Sequence, residues 1–575
     1  MSAAPQTPAG SRWLWGPVPD LVLGCGLGYA AVFVALAAAG PGIRAALPLG
    51  LLPIVSVFAG TPHYGATLLR VYEQRSERRA YVFFTVYGTA LVWALYVAGL
   101  YDAWLGSFLL SLYLTWSPWH YTGQNYGISL LFLRRRGVEV TPRVKRLIYA
   151  SFVLSYCLTF LAVHGDPHSA DYAPVPSYSG SIYRVMRLGL PSPAWEYAFG
   201  CVGIAYLATL ALAARGLLRR AEWRDLVPSA LVASTQLLWF SLPPLGRELG
   251  LLRGLDPFQP DQAAFVFIWI AAGHAFQYLW VTSYYAGKRR AGALTRYYAK
   301  CIFAGSAIWS LPALAWVAWQ GFAGPSLRGV ATGEDAGVLL AAMVNLHHFM
   351  LDGAIWKLRD GRVARALIRR EAALRPEPID APRRRWLGPA LLTAGALWTL
   401  STIGALVERD HGFARAAARG DLAAAEASLG RLAAIRRDSV ADYHRLAQMA
   451  AERGDTVQAL RLYDRAIARF DLPASWGAKA MALESKGEAE AAAAAYEGGL
   501  RAAPDQPALL YRLGRLRLEQ GRAEEASALL ERALALAPGD KRIDLTLERA
   551  RKARAEGAAP SARATDAPAS NGGAS

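Results

Sequence analysis

Long apolar runs constrain this chain more than any other feature of its sequence. Eleven such runs are separated by short polar stretches, and each has about the 20 residues that a helix needs to cross the hydrocarbon core of a bilayer. The chain is 54% hydrophobic and only 18% charged, which is too apolar for an ordinary water-soluble protein. The runs lie at about residues 20–40, 46–69, 80–101, 103–133, 146–164, 194–214, 226–243, 263–286, 301–321, 335–357 and 388–407. The sequence therefore predicts an all-α fold with a polytopic membrane domain at residues 20–407.

Positive charge is unevenly distributed among the stretches that join these runs. Alternate stretches are rich in Lys and Arg, and they are residues 70–79, 134–146, 215–224, 288–300 and 357–385. Because basic loops stay in the cytoplasm, residues 1–19 become a short cytoplasmic N-terminus, and everything after the last run lies outside. In a bacterial inner membrane, the expected location, outside means the periplasm. The net charge of +18 then reflects topology, and we expect no nucleic-acid partner.

A different pattern begins after about residue 410, where Ala, Arg, Glu and Leu recur with helical periodicity. Units of about 34 residues begin near Val440, Pro473 and Pro507, a spacing far from the seven of a coiled coil. The last unit has small and large residues at fixed positions, namely Leu510, Leu513, Gly514, Ala526, Leu530, Ala533 and Pro538.

These positions resemble the tetratricopeptide repeat. The resemblance implies an α-solenoid at residues 411–550 whose concave surface binds a protein partner, which it does not identify. Residues 551–575, rich in Ala, Ser, Gly and Pro, are predicted to be a disordered tail.

Histidines interrupt four of the apolar runs. His63, His120, His274 and the pair His347–His348 lie seven to fourteen residues before the basic cytoplasmic end of their runs. At 1.5 Å per residue their depths agree to within roughly 10 Å, and all four runs cross in the same direction. Ionisable groups are costly in lipid, so we expect these histidines to converge on one functional site.

The neighbours of these histidines indicate a metal site. Gln124, Gln277 and Asp352 each follow a histidine by three or four residues, and His348 shares a helical face with Asp352 while His347 points about 100° away. Imidazole and carboxylate ligands suit iron, copper or zinc. We therefore predict that the five histidines are metal ligands and that the other three side chains have catalytic roles. Iron is the expected cofactor; another transition metal or haem stays open, as does simple hydrogen bonding between helices.

Further residues receive less specific predictions. Four polar residues at span ends either hold an anionic group or anchor the ends, and they are Arg70, Tyr72, Lys357 and Arg359. Four other histidines are expected in solvent, in an outside loop or on the repeats, and they are His164, His168, His411 and His444. The cysteines stand alone in apolar runs and are expected to pack as small hydrophobes; they are Cys25, Cys157, Cys201 and Cys301.

The membrane half resembles the integral-membrane iron oxygenases, both the desaturase and hydroxylase group and the carotene-cleaving type, in carrying histidines on several spans near the cytoplasmic face. This resemblance implies an oxidoreductase acting on a lipid-like substrate, although the H-x-x-x-H box of desaturases is absent from the runs. A non-enzymatic scaffold is an alternative. A polyprenyl-linked-sugar glycosyltransferase with tetratricopeptide repeats is another, but its first outside loop, about residues 40–47, contains no acidic residue. A transporter also remains open.

Overall fold

The computed structural model describes residues 12–35, 54–72, 81–165, 183, 185–248, 260–289, 294–322, 333–356, 367, 387–502, 504–537 and 539–558. It divides into two compact units, Met1–Asp410 and His411–Ser575. The fold is all-α, and no strand occurs among the described residues. The predicted fold class is therefore confirmed at that level.

Unit 1 is built from apolar helices whose positions follow the predicted runs. In chain order they are α1 (Pro17–Gly24), α2 (Leu27–Ala35), α3 (Thr61–Tyr72), α4 (Phe83–Tyr101), α5 (Ala103–Arg135), α6 (Pro142–His164), α7 (Ser192–Leu218), α8 (Trp223–Gly246), α9 (Pro260–Arg289), α10 (Leu294–Phe322), α11 (Gly333–Ile355) and α12 (Leu387–Val407). The long helix α5 runs through Pro118 without ending.

Six of the described helices are long and apolar enough to cross a membrane, or seven if the bent pair α1–α2 is counted as one span. The prediction of about eleven spans is therefore supported only in part. Helices α5 and α9 are 33 and 30 residues long, so each is about 45 Å or longer, yet both carry polar side chains such as Gln124 and Gln277 that lower their hydropathy. Helix α11 is apolar enough to count as a span even though it carries His347, His348 and Asp352.

Close glycine contacts fix helix α3, which carries His63. A Cβ added at Gly65 would overlap the carbonyl oxygen of Cys301, and one at Gly305 would overlap that of Thr61. Helix α10 therefore approaches α3 backbone to backbone, as small residues allow between membrane helices. Gly395 on α12 makes the same kind of approach to Phe303 on the other side of α10.

A buried carboxylate anchors the start of the chain onto α9. Asp20 accepts hydrogen bonds from the backbone N–H groups of Leu14 (2.6 Å) and Trp15 (3.1 Å) and from Trp280 Nε1 (2.9 Å). Residues 12–16 thus pack against the helical unit, although the sequence predicts only a short cytoplasmic N-terminus there. Residues 1–11 lie outside the described part.

Unit 2 is a series of short antiparallel helices. They are α13 (Leu422–Ala434), α14 (Val440–Glu452), α15 (Thr456–Phe470), α16 (Pro473–Ser485), α17 (Ala489–Ala502), α18 (Pro507–Glu519), α19 (Ala523–Leu536) and α20 (Lys541–Ala558). Each repeat turns between its two helices at a glycine with positive φ, namely Gly454, Gly487 and Gly521. A glycine adopts this left-handed conformation without the strain that a side chain would add.

Three sequence predictions need correction. The predicted disordered tail is helical up to Ala558, because Ile543, Leu547 and Ala550 on α20 pack against the preceding repeat; residues 559–575 lie outside the described part. His164 is buried rather than solvated, because α6 continues to that residue and its Nε2 lies 2.8 Å from Thr115 Oγ1. Cys201 is exposed on α7 rather than packed inside. His168 lies outside the described residues.

Candidate metal centre

Four helices bring one histidine each to a common interior position. His63 is on α3, His120 on α5, His274 on α9 and His348 on α11. The side chain of His120 is 11% exposed, and the other three residues are buried to below 5% exposure. The convergence expected from the depths of these residues is therefore present in the structure.

The ligand atoms of this cluster form two overlapping groups. His63, His274 and His348 make one group, and His120, His348 and Asp352 make the other. Within each group the nitrogen and oxygen atoms lie within 4.8 Å of one another. In each set, three imidazole or carboxylate side chains lie close enough together to bind one transition-metal ion such as iron, copper or zinc.

The individual contacts differ between the two groups. Nε2 of His63 and Nε2 of His274 lie 3.1 Å apart, a hydrogen-bond distance. Oδ2 of Asp352 lies 3.3 Å from His348 Nε2 and 3.9 Å from His120 Nε2, yet neither nitrogen has a hydrogen-bond partner among the described residues. His120 Nε2 is too far from the carboxylate for a hydrogen bond, and His348 Nε2 lies within reach of it without the required angle.

Unpartnered polar atoms are the strongest sign that the cluster fits a ligand. His120 Nε2, His348 Nε2 and His274 Nδ1 are all buried and unbonded in the part of the chain that the structure describes. A buried polar group without a partner costs about 1–3 kcal/mol. A bound metal ion would give His120 Nε2 and His348 Nε2 a partner, so the residues present fit a metal.

Asp352 is held on its other side by hydroxyl groups. Its Oδ1 accepts hydrogen bonds from Tyr278 (2.7 Å) and Thr67 (2.9 Å). Tyr278 in turn accepts from Trp356 Nε1 at 3.0 Å. Thr67 and Tyr278 were not among the predicted site residues, although each lies four residues after a site histidine, on the same helical face.

Aromatic rings surround the imidazoles. Phe349 stacks on His120 with ring centroids 4.4 Å apart, and Tyr121 stacks on His274 at 4.1 Å. Tyr64 meets His348 edge to face at 5.3 Å. Such walls limit the access of water to the cluster and strengthen electrostatic interactions inside it.

His347, predicted as a fifth ligand, lies elsewhere. Its Nε2 is 2.9 Å from Thr89 Oγ1 on α4, and it belongs to neither group of potential ligands. The reason is helical geometry, because adjacent residues on a helix point about 100° apart. Only one member of an adjacent pair can face the cluster, and that member is His348.

The two predicted glutamines join helices rather than face the ligand groups. Gln124 Nε2 donates to Gln277 Oε1 (3.0 Å) and to the backbone oxygen of His274 (3.3 Å). Gln277 Nε2 donates to the backbone oxygen of Gly24 at 3.3 Å. Both amides are therefore occupied in fixing α9 against its neighbours, and through α9 they position His274.

Arg70 packs between two aromatic rings near the end of α3. Its guanidinium carbon lies 3.8 Å from the ring centre of Trp356 and 4.3 Å from that of Tyr285, and Nη2 donates to the backbone oxygen of Ile355. Tyr72 donates to the backbone oxygen of Thr85. These contacts fit the anchoring alternative, since both side chains tie α3 to neighbouring helices. Lys357 and Arg359 lie outside the described residues.

Unit 2 has its own buried polar contacts. Asp438 accepts hydrogen bonds from Nε and Nη2 of Arg469, both at 3.0 Å, and from the Tyr443 hydroxyl. Burial is the largest single influence and raises the pKa of Asp438, but the hydrogen bonds from Arg469, its positive charge and the Tyr443 hydroxyl together hold that pKa below its ordinary value. His444 is half-buried against Ser475 rather than at the surface, whereas His411 is exposed as expected.

Comparison with known proteins identifies only the class of unit 2. Residues 444–507 and 483–550 match the tetratricopeptide repeat family, which confirms the resemblance read from the repeat spacing. Stacked tetratricopeptide helices form protein-binding surfaces, so unit 2 is a protein-interaction module. No curated protein matches the chain.

Proposed function

We propose that this protein is a metal-dependent membrane oxidoreductase that carries a protein-binding repeat module. The observation that carries the proposal is the convergence of His63, His120, His274, His348 and Asp352, with three imidazole nitrogens buried and unbonded in the described part. Iron is the metal we favour, because imidazole and carboxylate together are typical of non-haem iron sites. Iron held in this way supplies one-electron and oxygen chemistry.

The chain's own residues have three tasks in this proposal. Imidazoles of the cluster and the Asp352 carboxylate bind the ion, and the aromatic residues Phe349, Tyr121 and Tyr64 keep water away from it. A site enclosed by apolar helices favours an apolar, lipid-like substrate, since such a substrate enters from the bilayer without desolvation of charge. The basic stretches favour a cytoplasmic N-terminus and an extracytoplasmic repeat unit in a bacterial inner membrane.

Elemental analysis tests the metal site. The full chain, purified in detergent, is expected to hold one transition-metal ion, with iron predominant. His348→Ala should lose the metal, because His348 belongs to both potential ligand groups. His347→Ala is a matched control, because the adjacent residue on the same helix contacts Thr89 instead. A wild-type chain without iron, copper, zinc or haem, or a His348→Ala variant that keeps the metal, would overturn the proposal.

A second candidate is a membrane scaffold without catalysis, favoured by the tetratricopeptide repeats at residues 444–550. The two candidates differ in which part of the chain function needs. In a strain that lacks the wild-type gene, deletion of residues 411–575 should abolish a scaffold's function while His348→Ala leaves it intact. The opposite pattern supports the enzyme.

A further inference from the structure

The five groups of the cluster are not equivalent. We infer that the metal is held by His120, His348 and Asp352, and that Thr67 is the positioning residue that prepares two of these ligands. The inference rests on the proposed metal site and names the atoms that would form it.

The unbonded nitrogens beside the carboxylate favour this set. Oδ2 of Asp352 is 3.3 Å from His348 Nε2 and 3.9 Å from His120 Nε2, so small movements bring all three atoms onto one ion. Both nitrogens are buried, and neither has a hydrogen-bond partner among the described residues.

The other two histidines already use their Nε2 atoms. His63 and His274 face each other through their Nε2 atoms at 3.1 Å. Between neutral imidazoles one Nε2 donates its proton and the other offers its lone pair, so neither atom is available to an ion while the bond exists. This pair therefore lies beside the metal and remains bonded to itself.

Proton counting assigns the role of Thr67. Its hydroxyl has one proton, which it donates to Asp352 Oδ1 at 2.9 Å. Oγ1 of Thr67 also lies 3.2 Å from His348 Nδ1, and with its own proton directed to Asp352 we assign it as the acceptor of a proton from that nitrogen. The Nδ1 tautomer leaves the lone pair of His348 on Nε2, which is the atom facing Asp352. Outer partners of this kind fix the tautomer and direction of metal-binding histidines.

Tyr278 secures the same carboxylate oxygen. Its hydroxyl donates to Asp352 Oδ1 at 2.7 Å, accepts from Trp356 Nε1, and lies 2.5 Å from Thr67 Oγ1. With Oδ1 held by two hydroxyls, only Oδ2 points toward the imidazoles. Asp352 is then a ligand through a single oxygen.

The resulting set is two imidazoles and one carboxylate. Three protein ligands leave other coordination positions open, an arrangement typical of ferrous oxygenases. Such a ligand set is compatible with the iron that the proposed function favours, and its open positions leave room for small ligands.

Titration with Co(II) tests the assignment, because its visible bands report the number and type of ligands. The full chain in detergent is stripped with a chelator and titrated in wild-type and variant forms. Thr67→Val, which keeps the shape but removes the hydroxyl, should weaken Co(II) binding by about 10- to 100-fold and shift the bands. Thr67→Ser should restore both. His63→Ala and His274→Ala should bind as the wild type does, whereas His120→Ala and Asp352→Asn should not bind.

Each failure has a distinct meaning. The ligand assignment is overturned if His63→Ala or His274→Ala loses Co(II) while His120→Ala retains it. The positioning role of Thr67 is overturned if Thr67→Val binds Co(II) with wild-type affinity and spectrum. Tyr278→Phe supplies a second probe of Oδ1 if Thr67→Val does not fold; unchanged bands in that variant contradict the single-oxygen arrangement. A wild-type chain that binds neither Co(II) nor Fe(II) overturns the metal site as a whole, which is the failure of the proposed function itself.

Discussion

The two units of this chain bury different kinds of groups. Unit 1 holds imidazoles, a carboxylate and hydroxyls at its centre, several of them without partners among the described residues. Unit 2 buries mainly small and branched apolar residues, such as Ala526, Leu530 and Ala533. It pairs its buried carboxylate Asp438 with Arg469 and has exposed ion pairs such as Arg551–Glu531.

Unit 1 is built around polar groups in its interior, whereas the repeats of unit 2 are built to display a surface. Buried unsatisfied groups are tolerated only where rigid surroundings hold them, and in unit 1 glycine contacts fix the helix that carries His63. The interior of a repeat stack is self-complementary, and each repeat depends mainly on its neighbours. We therefore expect a destabilising substitution in unit 1 to disturb the candidate metal centre. A destabilising substitution in unit 2 should affect only the neighbouring repeats.

The largest effect is expected from Gly65→Val. The added side chain meets the carbonyl of Cys301, a backbone atom that cannot rotate away, so overpacking should cost about 3 kcal/mol or more. Thermal melting in detergent should fall sharply, and metal content should fall with it because His63 and Thr67 share helix α3.

Gly123→Ala is the control for this prediction. No atom lies within 4 Å of a Cβ added at Gly123, on helix α5. Alanine should therefore stabilise that helix by up to about 1 kcal/mol. Equal melting temperatures for Gly65→Val and the wild type would remove the claim that this glycine contact holds the site together.

Leu530→Ala should be somewhat milder. The residue is fully buried in the last repeat, and its loss should cost about 2–3 kcal/mol, since neighbouring alanines allow partial closure of the cavity. Hydrogen exchange should accelerate in residues 507–558 and remain unchanged in residues 440–470. Leu536→Ala, at an exposed position on the same helix, is the control. Loss of protection throughout the repeats would show that the stack unfolds as one body.

A smaller, pH-dependent effect is expected at His444. Burial lowers the pKa of this imidazole in the folded repeat, so the native state favours the neutral form. The full stability of the folded repeat is present above the ordinary pKa of histidine, about 6.5. This stability is lost progressively as the pH falls from there toward the lowered pKa of His444 in the folded state. Stability of the repeats should therefore decline below pH 6.5, and less so in His444→Gln. His411→Gln, at an exposed site, should follow the wild type; identical pH curves for all three proteins would refute the assignment.

The smallest effect is expected from Arg551→Ala. Its ion pair with Glu531 (2.9 Å) is about half exposed at both ends, so its removal should cost less than about 1 kcal/mol. Denaturant midpoints at low and high salt measure it, because screening should erase the difference. A larger loss would mean that α20 depends on this contact as well as on Ile543 and Leu547.

The sequence supports the helical positions and the meeting of the histidines well, because apolar length and helical depth are local quantities. It does not decide the membership of the cluster. His347 and His348 have the same depth, and only their direction on α11 separates them. Thr67 lies four residues after His63, but the sequence does not show what it contacts, since its partners Tyr278 and Asp352 come from other helices. Gln124 and Gln277 bond to each other, a pairing set by how α5 and α9 pack.

The sequence separation of the cluster has a consequence for biosynthesis. Thr67 and Asp352 meet across 285 residues, and the helix that carries His348 is the last of the four to leave the ribosome. A nascent chain that ends before Asp352 lacks a complete cluster. If the proposed metal binds, it is therefore expected to do so only after nearly all of unit 1 has been synthesised.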